Sequence, residues 1–179
     1  MSASTVNIIE FKAKLRDKAF IQTQLQAHQA ILKGRDHQID TYFQTPKQGD
    51  RLKYREGKIE NNLIYYNRSN QSGPKLSEVL LYPIKAADQK QKEILTALLG
   101  IKVVVDKQRE IYFIENVKIH IDEVKSLGGF VEVEAIDETG QVPKEVLQKQ
   151  CNYFLDVFQI QEADLLTHSY SDMVLEAGS

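Results

Sequence analysis

The sequence has a single cysteine and no long apolar run, and both absences narrow the classes of protein it can belong to. One cysteine, Cys151, allows neither a disulfide within the chain nor a metal site built from thiolates. No stretch of 18 apolar residues occurs, so the sequence offers no membrane-spanning helix. The N-terminus lacks a basic segment followed by an apolar run, so no signal peptide is expected and a cytoplasmic protein is predicted.

A basic excess is also missing. The chain has 23 lysines and arginines against 25 acidic residues, which gives a formal net charge of −2 and a pI near 6.1. General binders of nucleic acid or membrane surfaces usually carry a basic excess, so neither partner is expected. No Gly-x-x-x-x-Gly-Lys-Ser/Thr loop is present, which excludes a P-loop nucleotide site. The 179 residues, 42% of them hydrophobic, predict one domain over residues 1–179 with a proper core.

Apolar patterning and turn signals predict about eight strands and several helices. The expected strands cover residues 6–15, 37–44, 51–57, 62–68, 76–84, 101–115, 117–124 and 130–136. One helix is expected from a cap at Asp17 to about Leu32, ended by Gly34. Others are expected over residues 88–99, 143–158 and 169–175. This order of elements is typical of an α+β fold with a mostly antiparallel sheet.

Charged residues recur at every second position of the predicted strands, so they share one face of each strand. The stripes comprise Glu10, Lys12 and Lys14; Arg51, Lys53 and Arg55; Tyr66 and Arg68; Lys107 and Arg109; Lys118, His120 and Asp122; and Glu132 and Glu134. Each stripe alone could be the solvated face of a sandwich. Like charges two positions apart repel unless something lies between them, which favours an enclosed polyanion and metal. Curling the sheet with these stripes inside yields an eight-stranded antiparallel β-tunnel with helices packed outside.

The residue types on the stripes suit a polyphosphate and a divalent metal ion. Mg²⁺ is commonly held by one or two carboxylates together with phosphate oxygens. The candidate carboxylates are Glu10, Asp122, Glu132 and Glu134. Guanidinium groups match phosphate oxygens in bidentate geometry. Catalysis on such a substrate is mostly positioning and charge neutralisation, so no nucleophilic side chain is required.

Two kinds of residue have alternative roles. His120 could act as a general base, or could simply hydrogen-bond Asp122 or a phosphate. Tyr42, Tyr65 and Tyr66 could stack on a nucleobase, although aromatic residues on strands usually pack in a core or against helices. The residue types alone favour the hydrogen-bonding role for His120 and the packing role for the tyrosines.

Several short segments resemble the motifs of one known family, in the same order. Ile8-Ile9-Glu10-Phe11-Lys12 resembles its opening signature, Glu-x-Glu-x-Lys. Asp40-Thr41-Tyr42-Phe43, residues 51–55 and residues 63–68 resemble its second to fourth strands. Residues 107–109, 120–124 and 127–134 resemble its last three strands, and residues 169–172 its closing motif. The chain thus resembles the CYTH superfamily, the triphosphate tunnel metalloenzymes. Its motif sequences are most similar to those of class IV adenylyl cyclase-like proteins.

The resemblance implies a Mg²⁺- or Mn²⁺-dependent enzyme acting on ATP or another triphosphate. It implies that Glu10, Asp122, Glu132 and Glu134 are the metal ligands. The expected substrate contacts are Lys12, Lys14, Arg51, Lys53, Arg55, Arg68, Lys75, Lys107, Arg109 and His120. Of these, Lys12, Arg55 and Arg109 are the expected catalytic residues. The resembling cyclases occur as dimers, so a homodimer is a further expectation.

One position departs from the family signature. Ile8 stands where the first glutamate is expected, which removes a carboxylate from the bore and places a branched apolar side chain there. The remaining carboxylates could still hold one metal ion. Two functions therefore stand as hypotheses, a cyclase-like or triphosphatase enzyme and a non-catalytic binder of polyphosphate or nucleotide.

Overall fold

Eight antiparallel strands form one closed barrel in the computed structural model, which describes residues 4–67, 73–84 and 89–178. The strands are β1 (Ser4–Lys14), β2 (Ile31–Phe43), β3 (Asp50–Glu56), β4 (Asn62–Asn67), β5 (Lys75–Pro83), β6 (Ile101–Ile114), β7 (Val117–Val124) and β8 (Gly128–Asp137). Their spatial order is β1-β5-β4-β3-β2-β6-β7-β8, and pairing of β8 with β1 closes the ring. The predicted eight-stranded antiparallel tunnel is confirmed.

Four helices lie outside or at one end of the barrel in the described part of the chain. They are α1 (Lys18–Ala27), α2 (Gln89–Leu99), α3 (Lys144–Val157) and α4 (Tyr170–Ala177). Asp17 caps α1 by accepting a hydrogen bond from the Phe20 backbone N–H, as its sequence position predicts. None of the described helices is long and apolar enough to cross a membrane.

The main core lies between the outer face of the barrel and helices α1 and α3. Odd-numbered residues of β1, such as Phe11 and Ala13, pack there with Leu25 of α1 and Phe154 of α3. Cys151 belongs to the same core, and burial raises the pKa of its thiol to about 12, so it is an inert apolar residue. Because strand residues alternate between faces, this outer core directs the even-numbered residues of β1 into the bore.

Helix α4 closes one end of the barrel. Its N-terminus carries a reciprocal capping box between Ser169 and Asp172. Tyr170 packs against Phe130, with ring centroids 5.1 Å apart, and joins an apolar cluster with Val105 and Val124. The capping box orients the first turn of α4 so that the Tyr170 side chain reaches the barrel interior.

The first helix is shorter than its sequence pattern predicts. It ends at Ala27 instead of about Leu32, and the chain reverses at Gln29, whose φ is 54°. Ile31 and Leu32 begin β2 and pair with Phe113 and Tyr112 of β6, because this long strand offers backbone partners that a longer helix would leave unused.

The sequence predicts that Gly34 ends the first helix, and this prediction is wrong. Gly34 lies in β2 at a register shift with φ of 152°. A Cβ there would lie 2.6 Å from Cδ1 of Ile59, so the glycine permits close approach of the β3–β4 loop.

Candidate functional site

The inward faces of the strands enclose a tunnel with a cavity of about 270 Å³. Among the residues that the structure describes, seven basic side chains and six carboxylates line it. They are Lys12, Lys33, Lys53, Arg55, Lys107, Arg109 and Lys118, with Glu10, Asp40, Glu60, Glu132, Glu134 and Glu138. Charged residues of the stripes on β1, β3, β6, β7 and β8 therefore point inward as predicted, but the bore is almost neutral because carboxylates stand beside the cations.

Asp40 of β2 assembles three basic side chains from two other strands. It is almost fully buried and accepts hydrogen bonds from Arg55 Nε and Nη2 at 2.8 and 2.9 Å, Lys107 Nζ at 2.7 Å and Lys53 Nζ at 3.2 Å. Burial alone would raise the pKa of Asp40, but the charges of Arg55, Lys107 and Lys53 outweigh burial and hold it well below its usual range. A carboxylate of the protein thus occupies the position between like charges for which the sequence suggested a bound anion.

Lys107 is the most buried cation of this cluster, with 1% of its side chain exposed. Burial lowers the pKa of Lys107 to about 7, and the charge of Asp40 opposes this only in part, because Arg55, Arg109 and Lys53 lower it further. The ammonium group therefore gains or loses its proton near neutral pH according to the charge that the bore contains.

Binding of a polyphosphate at pH 8 is expected to be accompanied by proton uptake at Lys107. At that pH the free amine is mostly neutral, and a neighbouring polyanion raises its pKa by favouring the charged form. Titration calorimetry with tripolyphosphate, in buffers of different ionisation enthalpy, measures the protons bound. Lys107→Arg is the matched control, because guanidinium stays protonated and protons taken up by the ligand itself are common to both proteins. Equal uptake by the two proteins would contradict this assignment.

Glu60, in the loop between β3 and β4, extends this cluster toward β7. It accepts hydrogen bonds from Arg55 Nη1 at 3.0 Å and Gln38 Nε2 at 3.1 Å, and it is also paired with Lys118 Nζ. Burial would raise the pKa of Glu60, but Lys118 and Arg55 hold it far below its usual range. Arg55 is therefore held on two sides, by Asp40 and by Glu60, in one orientation.

Arg109, two residues after Lys107 on β6, lies at the centre of a second network in the bore. Its Nε and Nη2 donate to the two oxygens of Asp122 at 2.6 and 2.5 Å, and Nη2 also donates to Glu132 at 2.8 Å. Lys12 Nζ donates to the other oxygen of Glu132 at 2.6 Å, and Tyr170 Oη donates to Asp122 at 2.8 Å. Since Arg109 and Tyr170 engage both oxygens of Asp122, this carboxylate orients Arg109.

His120, Glu132 and Glu134 form a group whose ligand atoms all lie within 4.8 Å of one another. His120 Nδ1 is 3.3 Å from a Glu132 oxygen and 3.9 Å from a Glu134 oxygen. The imidazole is fully buried, and its Nε2 has no hydrogen-bond partner among the described residues. Burial, reinforced by the charge of Arg109, lowers the pKa of His120, so the ring is neutral at pH 7.

This donor set fits a divalent cation. A neutral imidazole and two carboxylates suit Mn²⁺ and related metals, and Mg²⁺ accepts the carboxylate oxygens. Ligands about 2.1 Å from a shared ion lie roughly 3 Å apart when they are adjacent, close to the spacing around His120 Nδ1. Glu10 is the register partner of Glu134 and lines the same part of the bore. Three of the four predicted ligands thus lie on two adjacent strands, with His120 beside them and Asp122 apart.

The sequence of residues 7–170 matches the CYTH domain family. The chain belongs to this family. No curated protein matches the sequence significantly. Since residues 7–170 run from β1 into the first turn of α4, the match covers every strand of the barrel.

Several solved structures superpose on nearly the whole chain. The PH1012 protein from Pyrococcus horikoshii is 20% identical, with a TM-score of 0.76 over 92% of this chain and 98% of that one. A candidate adenylate cyclase from Vibrio parahaemolyticus is 18% identical, with a TM-score of 0.75 over 93% and 97%. A candidate adenylyl cyclase from Hippeastrum, described as having a dominant triphosphatase activity, is 16% identical, with a TM-score of 0.59 over 96% of each chain. At these identities the similarity shows the shared fold.

Some predicted substrate contacts of the CYTH tunnel lie outside its lining. Lys14 is exposed at the end of β1, beside a separate cavity. Arg51 bonds Asp172 Oδ2 at 2.7 Å and so ties β3 to α4. Lys75 is buried and donates to the Thr167 carbonyl oxygen at 3.4 Å. Arg68 lies outside the described residues. The period of two predicts the face of a strand but not the distance along the bore, which explains the placements of Lys14 and Arg51.

Of the three tyrosines considered for base stacking, two face the tunnel. Tyr42 and Tyr66 line it, whereas Tyr65 points outward and donates to Asp50 at 2.9 Å. Lys53 Nζ lies 5.5 Å from the Tyr42 ring centroid and 5.9 Å from that of Tyr66. In this structure the two inward rings contact a cation of the Asp40 cluster.

Asp40, Glu60 and Tyr170 were not among the predicted site residues. Asp40 could have been found, because it shares the inward parity of β2 with Gln38 and Tyr42 and stands in a family-like motif. Glu60 lies in a loop, where the period of two does not apply. Tyr170 reaches the bore from a helix far along the chain, so only the tertiary fold reveals its contact with Asp122.

Proposed function

We propose that this CYTH protein is a metal-dependent enzyme that acts on a triphosphate held in the tunnel. The observation that carries the proposal is the position of two clusters in one bore. Lys53, Arg55 and Lys107 are gathered on Asp40, while the His120–Glu132–Glu134 group offers metal ligands. The cyclase and triphosphatase descriptions of the similar structures support the same substrate class.

The cations would neutralise and orient the phosphate chain. Arg55 and Lys107 hold Asp40 with short charge-assisted bonds and would transfer part of this bonding to phosphate oxygens. Arg109, fixed by Asp122 and Glu132, would donate from β6, the strand that also carries Lys107. Mg²⁺ or Mn²⁺ bound by Glu132, Glu134, Glu10 and His120 would supply further charge stabilisation. These contributions suit phosphoryl transfer, which depends mainly on positioning and charge neutralisation.

Two reactions fit this arrangement. In a cyclase the ribose 3′-hydroxyl attacks the α-phosphate of ATP and expels pyrophosphate, which yields cyclic AMP. In a triphosphatase water attacks the terminal phosphate and releases orthophosphate. The reactions differ in which phosphorus lies beside the metal, so product analysis distinguishes them.

The proposal is tested by incubating the protein with ATP, thiamine triphosphate or tripolyphosphate, and with Mg²⁺ or Mn²⁺. Cyclic AMP, pyrophosphate and orthophosphate are measured, and at least one is expected. In the Arg109→Gln variant, turnover is expected to fall at least 100-fold, because a buried charged donor to the phosphates is lost. Absence of every product, together with micromolar binding of tripolyphosphate, would exclude enzymatic activity on these triphosphates.

Ile8 favours a second candidate function, a non-catalytic binder of polyphosphate or nucleotide. This residue is 7% exposed and lines the tunnel two residues before Glu10, where it offers a metal no ligand. For a binder, the native protein would show no turnover, and Ile8→Glu would be required to produce any. Turnover by the native protein rejects this candidate directly.

A further inference from the structure

The loop between β3 and β4, residues 57–61, is attached to β2 by one buried carboxylate. Asp36 Oδ1 accepts hydrogen bonds from the backbone N–H groups of Lys58 at 2.6 Å and Ile59 at 3.2 Å. Asp36 Oδ2 accepts another from the backbone N–H of Glu60 at 3.2 Å. Hydrogen bonds to a carboxylate are stronger than those between neutral groups, so three of them hold the loop in one position.

Two glycines allow the loop to lie this close to β2. A Cβ at Gly57 would lie 2.4 Å from Asp36 Oδ2 and 2.9 Å from the carbonyl oxygen of Glu60. Gly34 leaves room for Ile59 in the same way. This close fit directs the side chain of Glu60 into the bore, where it lines the tunnel.

Glu60 and Lys118 form an ion pair that spans the bore. Glu60 comes two residues before the start of β4, and Lys118 is the second residue of β7. Three strands separate β4 from β7 in either direction around the barrel, so the two side chains extend from opposite walls. They are 9% and 14% exposed, which means that the pair is largely shielded from water. We call it the mouth pair.

The mouth pair lies between solvent and the interior cations of the tunnel. Lys33 and Glu138 border the cavity at this end and are exposed. Arg109 lies four residues along β6 from Phe113, the register partner of Lys118, which is roughly 13 Å along the strand. Helix α4 closes the opposite end of the barrel. A ligand that enters beside the exposed residues therefore meets the mouth pair first.

We propose that a polyphosphate enters through this mouth and displaces Glu60 from Lys118, so that Glu60 is an entry gate and Lys118 a further cation that contacts the ligand. A phosphate oxygen gives Lys118 the same kind of charge-assisted bond as the Glu60 carboxylate does. Glu60 keeps its bonds to Arg55 and Gln38, so the exchange leaves neither charge uncompensated. An uncharged molecule offers no such exchange. The inference rests on the proposed function, since it takes the bore as the phosphate site.

The gate is tested by the rate at which tripolyphosphate associates, measured by stopped-flow tyrosine fluorescence without divalent metal. Tyr42 and Tyr66 line the tunnel, and the chain has no tryptophan to mask their emission. Glu60→Gln is expected to associate at least ten times as fast as the native protein, because a neutral amide holds Lys118 less firmly. Glu138→Gln is the matched control, since it removes the same charge from the same mouth, and it should change the rate less than threefold. Equal acceleration by both would show attraction by net charge and overturn the gate.

Glu60→Asp separates the gate from net charge altogether. The shorter side chain keeps the negative charge but reaches less far across the bore toward Lys118. Association is expected to be at least three times as fast as in the native protein. An unchanged rate in both Glu60→Asp and Glu60→Gln would overturn the inference.

The contact between Lys118 and the ligand is tested by the dissociation rate. Lys118→Gln is expected to release tripolyphosphate at least three times as fast as the native protein, because one cation on the ligand is lost. Lys125→Gln is the control, since Lys125 follows β7 and is 77% exposed. Equal dissociation rates in the two variants would show that Lys118 does not hold the ligand.

Asp172→Asn identifies the end of the barrel through which the ligand passes. Asp172 bonds Arg51 at 2.7 Å and so ties α4 to the barrel, and its replacement loosens the opposite end. No acceleration of association is expected. Acceleration by Asp172→Asn without acceleration by Glu60→Gln would place the entrance at α4, which overturns the gate and leaves the proposed function standing. Failure of the native protein to bind tripolyphosphate in calorimetry would overturn both.

Discussion

Replacing Asp40 by asparagine is expected to destabilise the free protein and to increase its stabilisation by polyphosphate. Asp40 is the shared partner of Lys53, Arg55 and Lys107, all largely or fully buried. Removing one partner of a buried ion pair typically costs about 3–5 kcal/mol, because the other charge stays uncompensated. For a chain of this size each kcal/mol corresponds to about 2–4 °C, so we expect the melting temperature to fall by roughly 10 °C.

Tripolyphosphate should restore much of the melting temperature that Asp40→Asn loses. In the native protein an added anion competes with Asp40 for the three cations, whereas in Asp40→Asn it meets them without a competing carboxylate. Ligand binding to the folded state stabilises it in proportion to the logarithm of ligand concentration over the dissociation constant. The ligand-induced rise in melting temperature should therefore be larger in the variant than in the native protein.

Asp106→Asn is the control for this experiment. Asp106 bonds His37 on the outside of the barrel at 2.7 Å, with 35% of its side chain exposed. An exposed ion pair contributes at most about 1 kcal/mol, so neither the melting temperature nor its response to tripolyphosphate should change by more than a few degrees. Equal ligand-induced shifts in Asp40→Asn and native protein would show that polyphosphate does not engage the Asp40 cluster.

Replacing His120 by asparagine is expected to weaken Mn²⁺ binding at least tenfold. His120 Nδ1 faces both Glu132 and Glu134, and Ile8 offers no further carboxylate, so the imidazole is a large part of the available donor set. Free and bound Mn²⁺ are counted by electron paramagnetic resonance in the absence of any triphosphate, which separates metal binding from activity. Unchanged Mn²⁺ affinity in His120→Asn would show that the histidine is not a metal ligand.

The pH dependence of Mn²⁺ binding gives an independent check on the same group. Burial lowers the pKa of His120, so the ring remains a neutral ligand until the pH falls below the ordinary histidine value of about 6.5. Affinity should hold between pH 8 and 6.5 and decline at lower pH, with a weaker decline in His120→Asn. His37→Asn is the control, because His37 is 52% exposed on the outer face and distant in register from the acidic strands.

The alternation of charges along the strands was sufficient to predict the architecture. Phe11 and Ala13 alternate with Glu10 and Lys12, and the same period of two recurs on β3, β7 and β8. On β1, β7 and β8 the outer face is buried against α1 and α3, so the charged face points inward once the sheet closes. The predicted tunnel is confirmed because this argument depends on local geometry alone.

The end of α1 shows where local patterning fails. Ile31 and Leu32 continue the apolar spacing of the preceding helix, yet they belong to β2. Their conformation is determined by pairing with Tyr112 and Phe113, about 80 residues later in the sequence. Helix propensity is a weak preference that backbone pairing over a long strand readily overrides.

The type of each charge and the strand face that carries it follow from the amino-acid order alone. This order therefore predicted the barrel, five basic residues of its bore (Lys12, Lys53, Arg55, Lys107 and Arg109) and the acidic pair Glu132 and Glu134. Which charges neutralise one another depends on the folded barrel, because Asp40, Glu60 and Asp122 meet their partners across strands or from a loop. Coulomb energy depends on distances between side chains that are remote in sequence, and those distances exist only after the barrel has closed.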